Sequence, residues 1–316
     1  MAIDIAPTRE TGGVRRRRRA VRLTMRDRLT VAVMVGVPIL VVGTFVWFPT
    51  FASIALSFTS WDGLGSVREV HWIGVQNYDQ ITHIYPPFWP AFRHNLYWLA
   101  FLSFVATPFG LLLAYQLDKR IRGTRVYQSI FFLPVVVSLA IIGFIWGFLI
   151  YSPDQGLVNN ITGHTGNNVT DWIGDPKLNL WAVALVAAAW RHVGYVMIIY
   201  LAGLKAVDPS LREAAAIDGA SEWHAFRTVV FPALKPINIV VVVITVIEAL
   251  RAFDIVFIIN KGRNGLELLS VLVYDNIVGE ASRVGYGSAL ATILLVISVV
   301  PISIFVWNAF KETDLA

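Results

Sequence analysis

The sequence predicts an all-α polytopic membrane protein with six transmembrane helices. Three observations carry that reading. First, the 316 residues are 56% hydrophobic and 15% charged, with a mean hydropathy of +0.62, whereas soluble domains are about 25% charged. Second, the apolar residues come in long blocks, and a helix needs roughly 20 apolar residues to cross a bilayer core. Third, the cationic residues sit in alternate loops.

In chain order, the basic tail occupies 1–28 and the transmembrane domain 29–313. The expected spans are 29–57, 94–117, 126–151, 179–201, 237–260 and 286–310. The first follows a basic flank, TMRDRL, and its apolar block is too long for a cleaved signal, with no A-x-A-like site after it. Pro38, Pro49, Pro108, Pro134 and Pro301 lie in or beside spans, where neighbouring helices can satisfy the carbonyls a proline frees. Gly143 and Gly147 form a G-x-x-x-G in span three, a pattern that lets helices approach closely.

Orientation follows from lysine and arginine placement. Of 26 such residues, eighteen fall in the N-terminal tail, the loops after spans two and four, and the C-terminal tail. Six fall in the opposite loops, and Arg191 and Arg251 lie inside spans. Both termini are therefore expected in the cytoplasm. The run Arg15–Arg19 reads as a topology signal in contact with anionic membrane lipid. Nucleic acid is not an expected partner despite a pI of 9.5, because no aromatic residues interleave with the arginines.

Several chemistries find no motif. There is no cysteine, hence no disulfide, thiolate or iron–sulfur site. No G-x-x-x-x-G-K-[ST], H-E-x-x-H or G-x-S-x-G occurs. The histidines (His71, His83, His94, His164, His192, His224) show no ligand spacing. G-Y-G at 285–287 lacks a third glycine and fits close helix packing. No catalytic residue, metal or cofactor bound by this chain is expected.

The loop between spans four and five, 205–235, breaks the apolar pattern with SLREAAAIDGASEWHAFRTVVFPALKP. It reads as a helical hairpin. Ser210 and Glu213 suit a capping box, the alanines favour helix, and Gly219 permits a bend or close backbone approach. Leu211, Ala215, Trp223, Phe226 and Val230 can form an apolar side, and Pro232 and Pro236 stop the hairpin and start span five. One reading is an amphipathic connector lying in the lipid interface.

The second reading comes from likeness. EAAAIDGASEWHAFRTVVFP resembles the EAA loop of ABC-importer permeases, E-A-A-x-x-x-G-x(9)-I-x-L-P. Glu213, Ala214, Ala215, Gly219 and Pro232 match at the family spacing, and Asp218 and Ala220 match the D-G-A form of sugar permeases. Val229 and Phe231 replace the usual isoleucine and leucine, and both remain apolar. WIGVQNY at 72–78, IFFLPVVVS at 130–138 and DQGLVN at 154–159 are similar to further motifs of the carbohydrate-uptake (maltose/glycerol-phosphate-type) permeases. The likeness covers roughly 30–313. NKGRNGLELL at 260–269 departs from the family's N-G-G-P, which leaves the substrate open.

The resemblance implies the type I ABC-importer permease fold, with a coupling helix formed by Glu213, Ala214, Ala215, Asp218, Gly219, Ala220, Phe226 and Pro232. It implies a second homologous permease, two ATPase subunits that bind ATP and Mg, an extracytoplasmic solute-binding protein docking on loops 58–93 and 152–178, and a bacterial cytoplasmic membrane. The expected substrate is a di- or oligosaccharide, an α-glucoside being one candidate. The open alternatives are a permease for a polyamine, amino acid or glycerol phosphate, a stand-alone secondary transporter or channel, and a membrane anchor or sensor.

A substrate pathway is expected inside the spans, where a charged residue costs roughly 2.5–3.5 kcal/mol and marks a functional candidate. Thr245, Glu248, Arg251 and Asp254 recur every three residues along one side of span five, and Glu248 and Arg251 can neutralise each other. They form either a polar wall of the pathway or a pair that only packs helices. Span four offers Trp190, Arg191, His192 and Tyr195. Trp190 and Tyr195 suit stacking on a sugar ring, and equally an interfacial or packing role.

Overall fold

The computed structural model describes residues 24–65, 70–119, 121–279 and 282–313. Most of the basic tail, including Arg15–Arg19, lies outside the described residues. Among those described, the chain is helical, and an isolated bridge between Thr59 and Trp72 stands in place of any strand.

The elements in chain order are α1 (Met25–Leu56), α2 (Gln76–His83), α3 (Phe88–Asp118), α4 (Thr124–Val136), α5 (Leu139–Ile150), α6 (Leu157–Thr162), α7 (Asn179–Ala206), α8 (Pro209–Ile217), α9 (222–233), α10 (Lys235–Leu250), α11 (Asp254–Asn260), α12 (Leu269–Ile277) and α13 (Val284–Thr313). The chain divides into two units, 1–51 and 52–316. In the first, the helix starts at a capping box: Thr24 Oγ1 accepts from the Asp27 N–H while the Asp27 carboxylate accepts from the Thr24 N–H. None of its residues from Met25 to Trp47 is buried, the pattern of a helix apolar on all sides.

Among the described residues, four helices are long and apolar enough to cross a membrane: α1, α3, α7 and the 284–308 part of α13. α4 and α5 meet at 97° across a short break, and count as a fifth span if taken together. The expected continuous span 126–151 is therefore a bent pair. Its bend falls at Val137 and Ser138, where the backbone is extended and Ser138 caps α5 by accepting from the Ile141 N–H. The expected span 237–260 is also interrupted. α10 has 16 residues, about 24 Å of helix against a hydrocarbon core of about 30 Å. Arg251, Ala252 and Phe253 then separate it from α11. Six continuous spans thus resolve into four long helices, a bent pair and a broken helix.

In the second unit, α3 packs along α7, α4 also packs on α7, and α10 contacts both α3 and α7. α5 packs against α11 through the G-x-x-x-G pattern: a Cβ at Gly143 would lie 3.1 Å from the Ile255 carbonyl oxygen, and one at Gly147 would lie 3.3 Å from Ile259 Cγ1. One core lies mid-bundle around Trp98, Ile142, Leu185 and Val256. A second, at the hairpin end, surrounds Met197, Leu201, Leu204 and Phe226. A third gathers Ile81, Phe88, Leu269, Leu272 and Leu290.

Two asparagines from the short loop motifs act as staples. Buried Asn77, in WIGVQNY, donates from Nδ2 to the carbonyls of Ser57 and Thr59, both at 2.8 Å. Asn159, in DQGLVN, donates to the carbonyls of Pro153 and Thr170 and accepts from Trp172 Nε1–H at 2.8 Å.

Candidate functional site

The hairpin grows out of the end of α7. Val207 turns extended, and Asp208 caps α8, its carboxylate accepting the Ser210 N–H at 2.9 Å, with Pro209 in the first turn. That backbone hydrogen bond holds the Asp208 carboxyl below the usual carboxylate range. The cap is therefore Asp208, and the expected Ser210–Glu213 box does not form. α8 ends in a Schellman turn: Ala220 N–H bonds to the Ala215 carbonyl at 3.0 Å and Gly219 N–H to that of Ala216 at 3.1 Å. Gly219 has φ +76° there, and a Cβ would find nothing of this chain within 4 Å, so within the chain the glycine serves the turn.

Ser221 caps α9 by accepting from the His224 N–H. Phe226 and Val230 are buried, the Phe226 ring lying 4.5 Å from that of Tyr115 on α3. Of the five residues expected on the apolar side, Ala215, Phe226 and Val230 turn inward, while Leu211 and Trp223 are exposed. Pro232 stays within the helical segment, and the break comes at Leu234, before Pro236 in the first turn of α10.

Two ion pairs fasten the arms to the end of α3. Arg212 Nη1 meets Asp118 Oδ2 at 2.6 Å, and its Nη2 donates to the Leu204 carbonyl at 3.2 Å. Lys119 Nζ meets Glu222 Oε2 at 2.6 Å and lies 4.5 Å from the Tyr115 ring centroid. The bond to Glu222 raises the Lys119 pKa, and the same bond lowers that of Glu222. The side of the hairpin away from α3 is open: Glu213, Ala214, Asp218 and Gly219 are exposed, and Ile217 is 86% exposed.

Inside the bundle, Glu248 does not pair with Arg251. It meets Arg191 of α7, Nη1 to Oε2 at 3.0 Å. Arg251 caps the end of α10, where the helix stops, and is exposed. Thr245 is buried and donates to the Val241 carbonyl at 2.7 Å. Its oxygen also lies 3.3 Å from both Thr107 Oγ1 and His192 Nε2, which are themselves 3.2 Å apart. Asp254 opens α11 and is exposed.

Arg191, His192, Glu248, Arg251 and Asp254 line one cavity with Trp98. It measures about 40 Å³, room for a few waters at about 10–15 Å³ each. Two cations and two carboxylates face it, so their formal charges balance. Thr245 lies behind this wall. Trp190 packs edge-on against Trp146 at 5.8 Å, Tyr195 is half-buried, and neither lines the cavity. Asp118, Lys119 and Thr107 went unmarked in the sequence. The signal for the first two was an acid–base pair at a span end, opposite an arginine and a glutamate in the hairpin.

Residues 106–311 match the family described as binding-protein-dependent transport system inner membrane component. A probable ABC transporter permease protein of Pyrococcus horikoshii is 32% identical over 282 residues, covering 87% of this chain and 94% of the relative. The xylose/arabinose import permease protein XacH of Haloferax volcanii is 30% identical over 286 residues, covering 89% and 88%. Among solved structures, a bacterial ABC transporter involved in the import of the acidic polysaccharide alginate superposes with a TM-score of 0.74 at 20% identity, covering 90% of this chain and 96% of that one.

Proposed function

We propose that this chain, which belongs to the family of binding-protein-dependent transport system inner membrane components, is one of two membrane subunits of an ATP-driven carbohydrate importer. Carbohydrate rests on relatives such as the xylose/arabinose permease, and a di- or oligosaccharide is the substrate class we favour. The coupling assignment rests on one observation: a hairpin fastened to α3 at both arms while its outer side, around Ile217, Asp218 and Gly219, stays open.

In this reading the open side seats in a cleft of an ATPase subunit, and both termini lie in the cytoplasm. A second permease completes the pathway, and a loaded binding protein docks on the opposite loops. ATP-driven closure of the ATPase pair moves the hairpin, the anchors pass the movement to α3, and the cavity opens outward; hydrolysis resets it. Glu248, Arg251 and Asp254 supply polar contacts along the pathway from this chain's side, with Thr245 behind them. Trp190 and Tyr195 are the aromatic candidates for ring stacking.

The test is gentle purification of the chain from its membrane with mass spectrometry of what accompanies it. An ATPase and a second EAA-bearing permease are the expected companions. A chain that emerges alone, with transport untouched by substitution of Gly219, removes the coupling reading. A fall in sugar uptake for Glu248→Ala and Tyr195→Ala with assembly intact supports the pathway, and unchanged kinetics in both would sink it.

A further inference from the structure

We propose that the recess where α3, α4, α7 and α8 meet binds the phosphate-bearing headgroup of an anionic phospholipid. The recess holds about 770 Å³, within the 300–1,000 Å³ range of ligand pockets. Its position sets the depth. The membrane-length helices α3 and α7 end at Asp118 and Ala206, and α4, half of the bent pair, begins at Thr124, which puts the recess at the end of the bundle, at headgroup depth. Its floor is apolar, from Leu117, Ile121, Leu204 and Val207, and suits glycerol and the first acyl carbons.

Its polar side carries Arg125, Lys205 and Arg212 against one carboxylate, Asp118. Asp118 is already engaged by Arg212. Arg125 and Lys205 are both exposed and form no ion pair among the described residues. The nearby Asp208 is not part of the lining, and its carboxylate is occupied by the Ser210 N–H. Two free cations above an apolar floor at headgroup depth match a phosphodiester with its chains in the bilayer. The arginine fork can take two phosphate oxygens, and basic pockets between membrane helices bind such headgroups. Because Arg212 shares the recess, a bound lipid abuts the first anchor of the hairpin. The inference needs the chain to lie in a membrane, and neither its orientation nor the ATPase partner enters it.

The test places the full-length chain in nanodiscs with photoreactive phosphatidylglycerol or photoreactive phosphatidylcholine and maps the labelled peptides. Peptide mapping separates the recess from the arginine-rich tail. Labelling of 117–128 and 204–212 is expected to favour phosphatidylglycerol by about thirtyfold, two surface cations contributing roughly fivefold each. Arg125→Gln with Lys205→Gln should bring it down to the phosphatidylcholine level, while Arg122→Gln, outside the recess, should leave it unchanged. Gln128→Trp, which fills the recess and keeps its cations, should also abolish labelling there. Equal labelling by both lipids, or a preference that survives the double substitution, overturns the assignment. Displacement of the label by inorganic phosphate at constant ionic strength also overturns it, in favour of a site for a free anion.

Discussion

Arg212 Nη1 lies 2.6 Å from Asp118 Oδ2, joining the first arm of the hairpin to the end of α3. Asp118 keeps only 10% of its side chain exposed, while Arg212 keeps 40%, so water screens the pair from one side only. Asp118→Asn should loosen α8 by about 1 kcal/mol. The chain has no native cysteine, so Ile217→Cys carries a unique spin label. Its motion should quicken in Asp118→Asn while the thermal midpoint of the bundle holds. An unchanged spectrum would show that Arg212 holds α8 through the Leu204 carbonyl alone.

The second anchor has a defined pH window. Glu222 has a lowered folded pKa, so its contribution is complete above the reference value of 4.5 and fades as pH falls through the lower folded value. Lys119 has a raised folded pKa, so its contribution is complete below 10.5 and fades as pH rises through the higher folded value. A spin label at Trp223→Cys should therefore report constant mobility through neutral pH and loosening at both extremes. Glu222→Gln should remove the acid limb. An acid limb that persists in Glu222→Gln would assign it to another carboxylate.

Arg191 and Glu248 share a partly buried pair at 3.0 Å. Removing one partner strands the other, and Glu248→Ala should cost about 3–5 kcal/mol by analogy with buried pairs. Replacing both, as Arg191→Met with Glu248→Leu, should recover most of that cost in a thermal melt while sugar uptake stays low. Full uptake in the double variant would leave the pair a packing device.

Gly219 separates conformation from space. Its φ of +76° disfavours any L-residue, yet a Cβ there meets nothing. Gly219→Ala should cost about 1–2 kcal/mol from backbone strain alone, and Gly219→Asn less, because asparagine tolerates the left-handed region. Equal loss in both, read as exchange protection of the Ala220 amide, would point to a contact with the side chain instead.

The long helices were legible because lipid imposes one simple demand, a long apolar block, and α1, α3, α7 and α13 meet it without interruption. α10 and α11 did not read as separate because Arg251 and Phe253 interrupt them without a proline or glycine. That break also explains the misassigned partner of Glu248. Three-residue spacing makes neighbours only while a helix continues, and α10 stops at Leu250. The start of α8 was legible in principle: an aspartate before a proline is a cap followed by a first-turn proline, and Asp208 lies two residues before Ser210. The Schellman turn could be anticipated from Gly219 alone. The clamp between α3 and the hairpin could not, since it joins residues about a hundred positions apart and depends on how α3 and α7 pack.

Asp118 and Lys119 are adjacent, carry opposite charge, and hold opposite arms of one hairpin. A rod pinned at one point swivels under a sideways push and delivers nothing but a pull. A rod pinned at two points resists swivelling, so the same push arrives as torque. The tip at Gly219 is therefore held against swivelling at two adjacent points at the end of α3, one for each arm.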